Sequence, residues 1–168
     1  GINSVKPFVD EIVIIDDCSY DRTGELAENN GAILLRHIIN RGQGAALKTG
    51  TEYALRSGAE IIIHFDADGQ FLPTDIKEVA TPIKKGEADI VFGSRFLNRK
   101  SEIPFLKEKI ILPFAKLVNR IFLNIETSDP QSGFRVLSRK AAEKIEWRQD
   151  RMAHCSEILS EAFKSGLK

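Results

Sequence analysis

The chain has 168 residues, 42% of them hydrophobic, enough for one domain that buries roughly 70% of the surface its unfolded chain would expose. Its 24 basic residues balance its 24 acidic ones, so the overall charge offers no field for nucleic acid or another polyanion. Cys18 and Cys155 are far apart and lack zinc-ligand spacing, which excludes a disulfide framework and fits a reducing, cytoplasmic setting.

Residues 1–9 lack the basic and apolar regions of a secretory leader, and no apolar run reaches the roughly 18 residues of a membrane span. The first apolar run, residues 11–15, reads as a strand buried on both faces. It leads straight into Asp16-Asp17-Cys18-Ser19-Tyr20-Asp21-Arg22-Thr23. Ligands of open α/β sheets bind beyond the carboxyl ends of the strands, where Asp16 and Asp17 could accept hydrogen bonds from a base or ribose. A plainer reading leaves the aspartates solvated, with Asp21 or Ser19 capping a helix over 21–30.

After a second strand at 32–35 comes Asn40-Arg41-Gly42-Gln43-Gly44-Ala45-Ala46, opening a helix over 43–57. Small residues at a helix start permit close backbone approach, and Arg41 could face a diphosphate there. The third strand, 61–65, runs into Asp66-Ala67-Asp68-Gly69-Gln70. Two carboxylates two residues apart at a strand's carboxyl end suit Mg²⁺ or Mn²⁺, which take oxygen ligands from one or two protein carboxylates and a substrate diphosphate. An isolated Asp-x-Asp is more often a polar turn, but the buried strand feeding this one favours the metal.

A helix over 74–85 opens at Pro73-Thr74, and the helices at 21–30, 43–57 and 74–85 close before Gly31, Gly58 and Gly86. The fourth strand, 90–92, precedes Gly93-Ser94-Arg95. Segment 103–125 interleaves Ile, Leu and Phe with Lys107, Lys109, Lys116 and Arg120, and Pro113 divides it. Such a segment lies in a membrane interface or packs on the core as an ordinary amphipathic helix. Then come Asp129-Pro130-Gln131-Ser132-Gly133-Phe134-Arg135 and helices at 138–145 and 152–165. Arg95 and Arg135 could pair bidentately with phosphate or make surface ion pairs. His37, His64 and His154 share no zinc spacing and read as structural or solvated, and Glu157 is a candidate to approach the site.

The order and spacing of Asp16-Asp17-x-Ser19-x-Asp21-x-Thr23, Asn40-x-Gly42-x-Gly44, Asp66-Ala67-Asp68-x-Gln70, Gly93-Ser94-Arg95 and Ser132-Gly133-Phe134-Arg135 resemble the inverting family 2 glycosyltransferases. Polyprenol-phosphate sugar transferases of the dolichol-phosphate mannose synthase type are the group most resembled. The resemblance covers essentially the whole chain and implies an α/β GT-A fold, a Rossmann-like, mostly parallel sheet flanked by helices. It implies a nucleotide-sugar contact at Asp16, Asp17, Asn40, Gly44, Asp66 and Ala67, and Mg²⁺ or Mn²⁺ at Asp66, Asp68 and Gln70. Arg95, with Lys107, Lys109 and Ser132, would receive an acceptor phosphate, and Asp68, Arg95, Asp129 and Arg135 would carry catalysis. Cys18 stands where that family usually has glycine, and the family's opening strand is absent, so residues 1–168 are expected to form one catalytic domain truncated at both ends.

The expected reaction moves a sugar, with inversion, from a GDP- or UDP-sugar to a polyprenyl or dolichyl phosphate at the cytoplasmic face of a membrane. A lipid phosphate is already anionic and needs cations rather than a strong base, whereas a sugar hydroxyl would require one, with Asp129 the candidate. A nucleotidyltransferase and an inactive nucleotide-sugar binder are the rival readings. An unpaired sheet edge would favour association into a homo-oligomer.

Overall fold

The computed structural model describes residues 1–66, 69–94 and 132–168. In chain order these form α1 (Ile2–Val5), a 3₁₀ turn (Lys6–Phe8), β1 (Val13–Asp16), α2 (Thr23–Asn29), β2 (Ile33–Arg36) and α3 (Gln43–Arg56). Then follow β3 (Ile61–His64), α4 (Asp75–Lys84), β4 (Ile90–Phe92), β5 (Arg135–Ser138), α5 (Arg139–Lys144) and α6 (His154–Lys164). The expected strands and the five expected helices that fall on described residues all form, with ends within two residues of those read from the pattern. Segment 103–125 lies outside the described residues.

The described strands make two hydrogen-bonded sets: β1 with β2 in parallel, and β3-β5-β4 with β5 antiparallel to both neighbours. β5 corrects the sequence reading, which treated residues 132–135 as a loop cluster and began a helix at 138. Its four residues, Arg-Val-Leu-Ser, hold only two apolar side chains, too few to display a strand period. Burial comes instead from its central place between β3 and β4.

Alternation along β3 and β5 sorts the core into two faces. Ile62 and Leu137 pack with Ala141, Ala142, Ile145, Trp147, Ile158 and Ala162 under α3, α5 and α6. Ile61, Ile63, Phe65, Phe134 and Val136 face the other way, onto Phe71 and the Ile76, Ala80 and Ile83 stripe of α4, with Val5 and Phe8 at its margin. Helix α3 contacts both β1 and β3, so it spans the two strand sets. Register pairs Ile62 with Leu137 and His64 with Arg135, so the next residues of that parity, Asp66 and Gly133, fall on the α3 face. Strand period alone therefore aims the first carboxylate of Asp-x-Asp at the start of α3.

Candidate active site

Beyond the carboxyl end of β1 the two aspartates do different jobs. Asp16 is 2% exposed; its Oδ1 accepts from the Ser19 amide at 2.8 Å and its Oδ2 from Arg36 Nε at 2.8 Å. The Ser19 hydroxyl and amide, and then Arg36, hold its carboxyl below the usual range against the opposing effect of burial. Arg36 reaches across because Gly24 of α2 has no side chain: a Cβ there would collide with the guanidinium. The N-cap of α2 is Arg22 and carries no side-chain cap bond, so neither expected cap forms: Asp21, one residue earlier, accepts from the Thr23 amide at 2.9 Å, and the Ser19 amide donates to Asp16.

Asp17 clamps the next loop. Its Oδ1 accepts from His37 Nδ1 at 2.7 Å and the Arg41 amide at 2.9 Å, its Oδ2 accepts from the Gly42 amide at 2.6 Å, and its carbonyl accepts from Asn40 Nδ2 at 3.1 Å. Burial pushes the Asp17 carboxyl up, but these donors outweigh it and leave it below its ordinary value. Asp16, Asp17 and Asn40 thus shape the loops where a nucleotide contact was expected. Cys18, between the two aspartate-held turns, takes φ +66°, the left-handed conformation in which glycine is unstrained.

The glycines of Gly42-Gln43-Gly44 admit a close neighbour, and that neighbour belongs to the chain itself. A Cβ on Gly42 would meet the Asp150 carbonyl at 2.5 Å, and one on Gly44 would collide with the Gln149 carbonyl. The Gly44 and Ala45 amides both donate to the Asp150 carbonyl, at 2.8 and 3.3 Å, and Trp147 Nε1 donates to the Gly44 carbonyl at 2.9 Å. Gly44, expected to contact the nucleotide-sugar, gives its amide to this strap. The strap is held in turn by Glu157, whose Oε2 accepts from the Arg148 and Gln149 amides at 2.9 Å each. Glu157, expected to approach the site, thus holds this strap, which spans residues 147–151.

Asp66 follows β3. Gln43 Nε2 donates to its Oδ1 at 3.1 Å, and its carboxylate occupies the space that a side chain on Gly133 would need. Gln70 is exposed in the loop beyond. Ser132, expected at an acceptor phosphate, is instead 1% exposed; its hydroxyl donates to the Phe134 carbonyl at 3.3 Å and accepts from the Phe134 amide at 3.2 Å. Ala67, Asp68, Arg95, Lys107, Lys109 and Asp129 lie outside the described residues.

Beneath Asp66, on the same sheet face, Arg135 is 1% exposed and its Nη2 donates to Cys155 Sγ at 3.0 Å. Arg135 was expected in catalysis, and this buried position is where the structure places it. Burial pushes the Cys155 thiol up, but the His154 hydrogen bond and the Arg135 charge outweigh it and bring it below its ordinary value. Beside Arg135, Thr51 gives its hydroxyl proton to the Leu47 carbonyl at 2.8 Å, so at 2.9 Å from His64 Nε2 it accepts and the imidazole carries its proton on Nε2. Among the described residues His64 Nδ1 and Arg135 Nη1 have no hydrogen-bond partner.

A model of the glycosyl transferase family 2 matches residues 2–146. The chain belongs to this family. A UDP-N-acetylglucosamine–dolichyl-phosphate N-acetylglucosaminyltransferase of Methanococcus voltae is 35% identical over 94% of this chain and 71% of its own. An uncharacterized protein of Methanocaldococcus jannaschii is 39% identical over 99% of this chain and 70% of its own. Among solved structures, glucosyl-3-phosphoglycerate synthase from Mycobacterium tuberculosis, in complex with Mn²⁺, UDP-glucose and phosphoglyceric acid, superposes with a TM-score of 0.74 at 20% identity. That match spans 98% of this chain and 59% of the synthase, and it supports the α/β fold.

For a family 2 glycosyltransferase, sequence motifs located the loops well and the contacts within them less well. The Gly133 close approach and the Gln43 bond were not read, although both residues stood inside quoted motifs. Trp147 and the Asp150 carbonyl carried no signal, since a backbone acceptor has no residue type to betray it. Among the described residues no helix is long and apolar enough to cross a membrane.

Proposed function

We propose that the protein transfers a sugar from a GDP- or UDP-sugar to a polyprenyl or dolichyl phosphate, with inversion, at the cytoplasmic face of a membrane. The observation that carries this reading is the placement of the Asp66 carboxylate at the carboxyl end of β3, between Gln43 and Gly133, in a chain whose relatives include a dolichyl-phosphate sugar transferase. Loops shaped by Asp16 and Asp17 lie beyond β1, at a strand carboxyl end, where the ligands of open α/β sheets bind.

Asp66 offers carboxylate oxygens of the kind Mg²⁺ or Mn²⁺ takes, and the Gln43 amide that donates to one of them is itself neutral. Asp66 and Asp68, with Gln70, would hold that ion, which supplies charge neutralisation to a departing diphosphate. Arg95 and the Lys107 and Lys109 ammonium groups would orient the acceptor phosphate by charge, with no base needed to ionise it.

The test incubates the full-length protein with GDP- and UDP-sugars and a polyprenyl phosphate, with Mn²⁺, Mg²⁺ or a chelator. The expected result is metal-dependent formation of a lipid-linked sugar, lost in Asp66→Asn. Transfer only to a soluble hydroxyl acceptor, or donor binding with no transfer, would overturn the reading.

A further inference from the structure

The proposed transfer gives no part to the place where β5 and the start of α6 bring a guanidinium, a thiol and an imidazole together. Arg135 is 1% exposed, Cys155 5% and His154 0%. A guanidinium keeps its charge in a protein interior, so burying it calls for an electron-rich partner. Arg135 Nη2 donates to Cys155 Sγ at 3.0 Å. A thiol sulfur accepts such a bond weakly; a thiolate accepts it strongly.

The proton that a thiolate gives up has a place to go. His154 Nδ1 lies 2.8 Å from the Arg151 carbonyl, which can only accept, so Nδ1 carries a hydrogen and Nε2 faces Sγ at 3.4 Å. A single proton is then shared between sulfur and Nε2. Burial opposes charge on either group, yet the His154 bond and the Arg135 charge bring the thiol below its ordinary value, and the Cys155 and Arg151 bonds bring the imidazole above its own. Cys155 is also the second residue of the 11-residue helix α6, whose N-terminal end favours an anion.

The other terminal nitrogen of the same guanidinium, Nη1, is buried and has no hydrogen-bond partner. An oxygen added to the sulfur would supply an acceptor beside it. We propose that Cys155 is a modification site, at which a hydroperoxide oxidises the sulfur to a sulfenic acid whose oxygen accepts from Arg135 Nη1. The sulfur attacks one peroxide oxygen; the S–O bond forms as the O–O bond breaks, and sulfur is oxidised as the peroxide is reduced. The departing hydroxide takes the Nε2 proton of His154 and leaves as water, or as an alcohol where the peroxide is organic. Met152 and Ala153, just before the pair in the chain, are exposed, so a molecule little larger than water has a short way to travel.

At about pH 6 an ordinary cysteine is about 0.3% thiolate. A thiol kept ionised gains about 300-fold in thiolate and gives back about tenfold, because acidic thiolates are weaker nucleophiles. With burial counted as well, oxidation about tenfold faster is expected. Cys18 is the internal comparison: it is more accessible, and its Sγ donates to the Ile38 carbonyl at 3.5 Å. The test treats the full-length protein with hydrogen peroxide at about pH 6 and follows oxygen gained by the Cys18 and Cys155 peptides by mass spectrometry. Cys155 should gain oxygen about tenfold faster than Cys18, and the unaltered protein should show an ultraviolet thiolate absorbance that Cys155→Ser lacks. His154→Asn keeps a donor for the Arg151 carbonyl and removes Nε2; it should slow Cys155 about tenfold and leave the Cys18 rate as it was. Equal rates, or Cys18 reacting first, would overturn the assignment, as would a thiolate absorbance that Cys155→Ser retains. An unchanged Cys155 rate in His154→Asn would overturn the part given to the imidazole.

Discussion

Lowering the pH should destabilise the protein through one imidazole. His64 is 4% exposed in β3; burial first, and the neighbouring Arg135 and His154 charges next, bring its pKa down to about 3. Its Nε2 proton is committed to Thr51, and a proton on Nδ1 would add a second buried charge beside Arg135. The folded value lies below that of an unfolded histidine, about 6.5. Stability is therefore complete above the unfolded value and is lost as pH falls from there toward the folded one. The slope is about 1.4 kcal/mol per pH unit, so descending from about pH 7 to about pH 5 should cost about 2 kcal/mol.

Other groups leave this signal separable. Asp16, Asp17, Asp21 and Asp89 all have carboxyls held below their usual value of 3.8, so their contribution is lost at still lower pH. His154 is raised: burial lowers it, but the Cys155 and Arg151 hydrogen bonds prevail, so it opposes the His64 trend by adding stability below its folded pKa. His154 remains in a His64→Gln variant, so the variant serves as the reference. Urea unfolding of both proteins at about pH 7, 6 and 5 should show the unaltered chain losing about 2 kcal/mol more than His64→Gln. Parallel pH profiles would refute the argument, since they would mean that His64 is protonated as readily in the fold as outside it.

Two further substitutions probe the loops. Cys18→Gly relieves the left-handed strain at φ +66°, and after glycine's greater unfolded entropy is counted it should raise stability by up to about 1 kcal/mol in urea unfolding; a loss would show that the Cys18 side chain contributes more than its backbone costs. Trp147→Phe leaves the buried Gly44 carbonyl without its donor and should cost about 1–3 kcal/mol, with faster hydrogen exchange at the Gly44 and Ala45 amides; unchanged exchange there would mean that the strap is held without Trp147.

Local pattern was enough for most of the fold and for the loops that make up the candidate site. Apolar runs bounded by Gly, Asp and Asn mark β1 to β4, and Asp-rich stretches directly after two of them mark the candidate site, because strand carboxyl ends and their polar loops are adjacent in the chain. The period of β3 even carries the side on which Asp66 emerges. What each polar group binds was decided by residues distant in sequence. Ser132 and Arg135 look like surface ligands in a motif, yet β5 enters the sheet centre and buries both. Gly42 and Gly44 look like an anion loop, yet the Gln149–Asp150 backbone, more than a hundred positions on, takes their space and two amides of the helix start. Hydrogen-bond satisfaction is settled only when the chain is compact, since a backbone carbonyl competes for a donor as well as any ligand oxygen does. Residue spacing could not disclose that competition, and tertiary packing decided it.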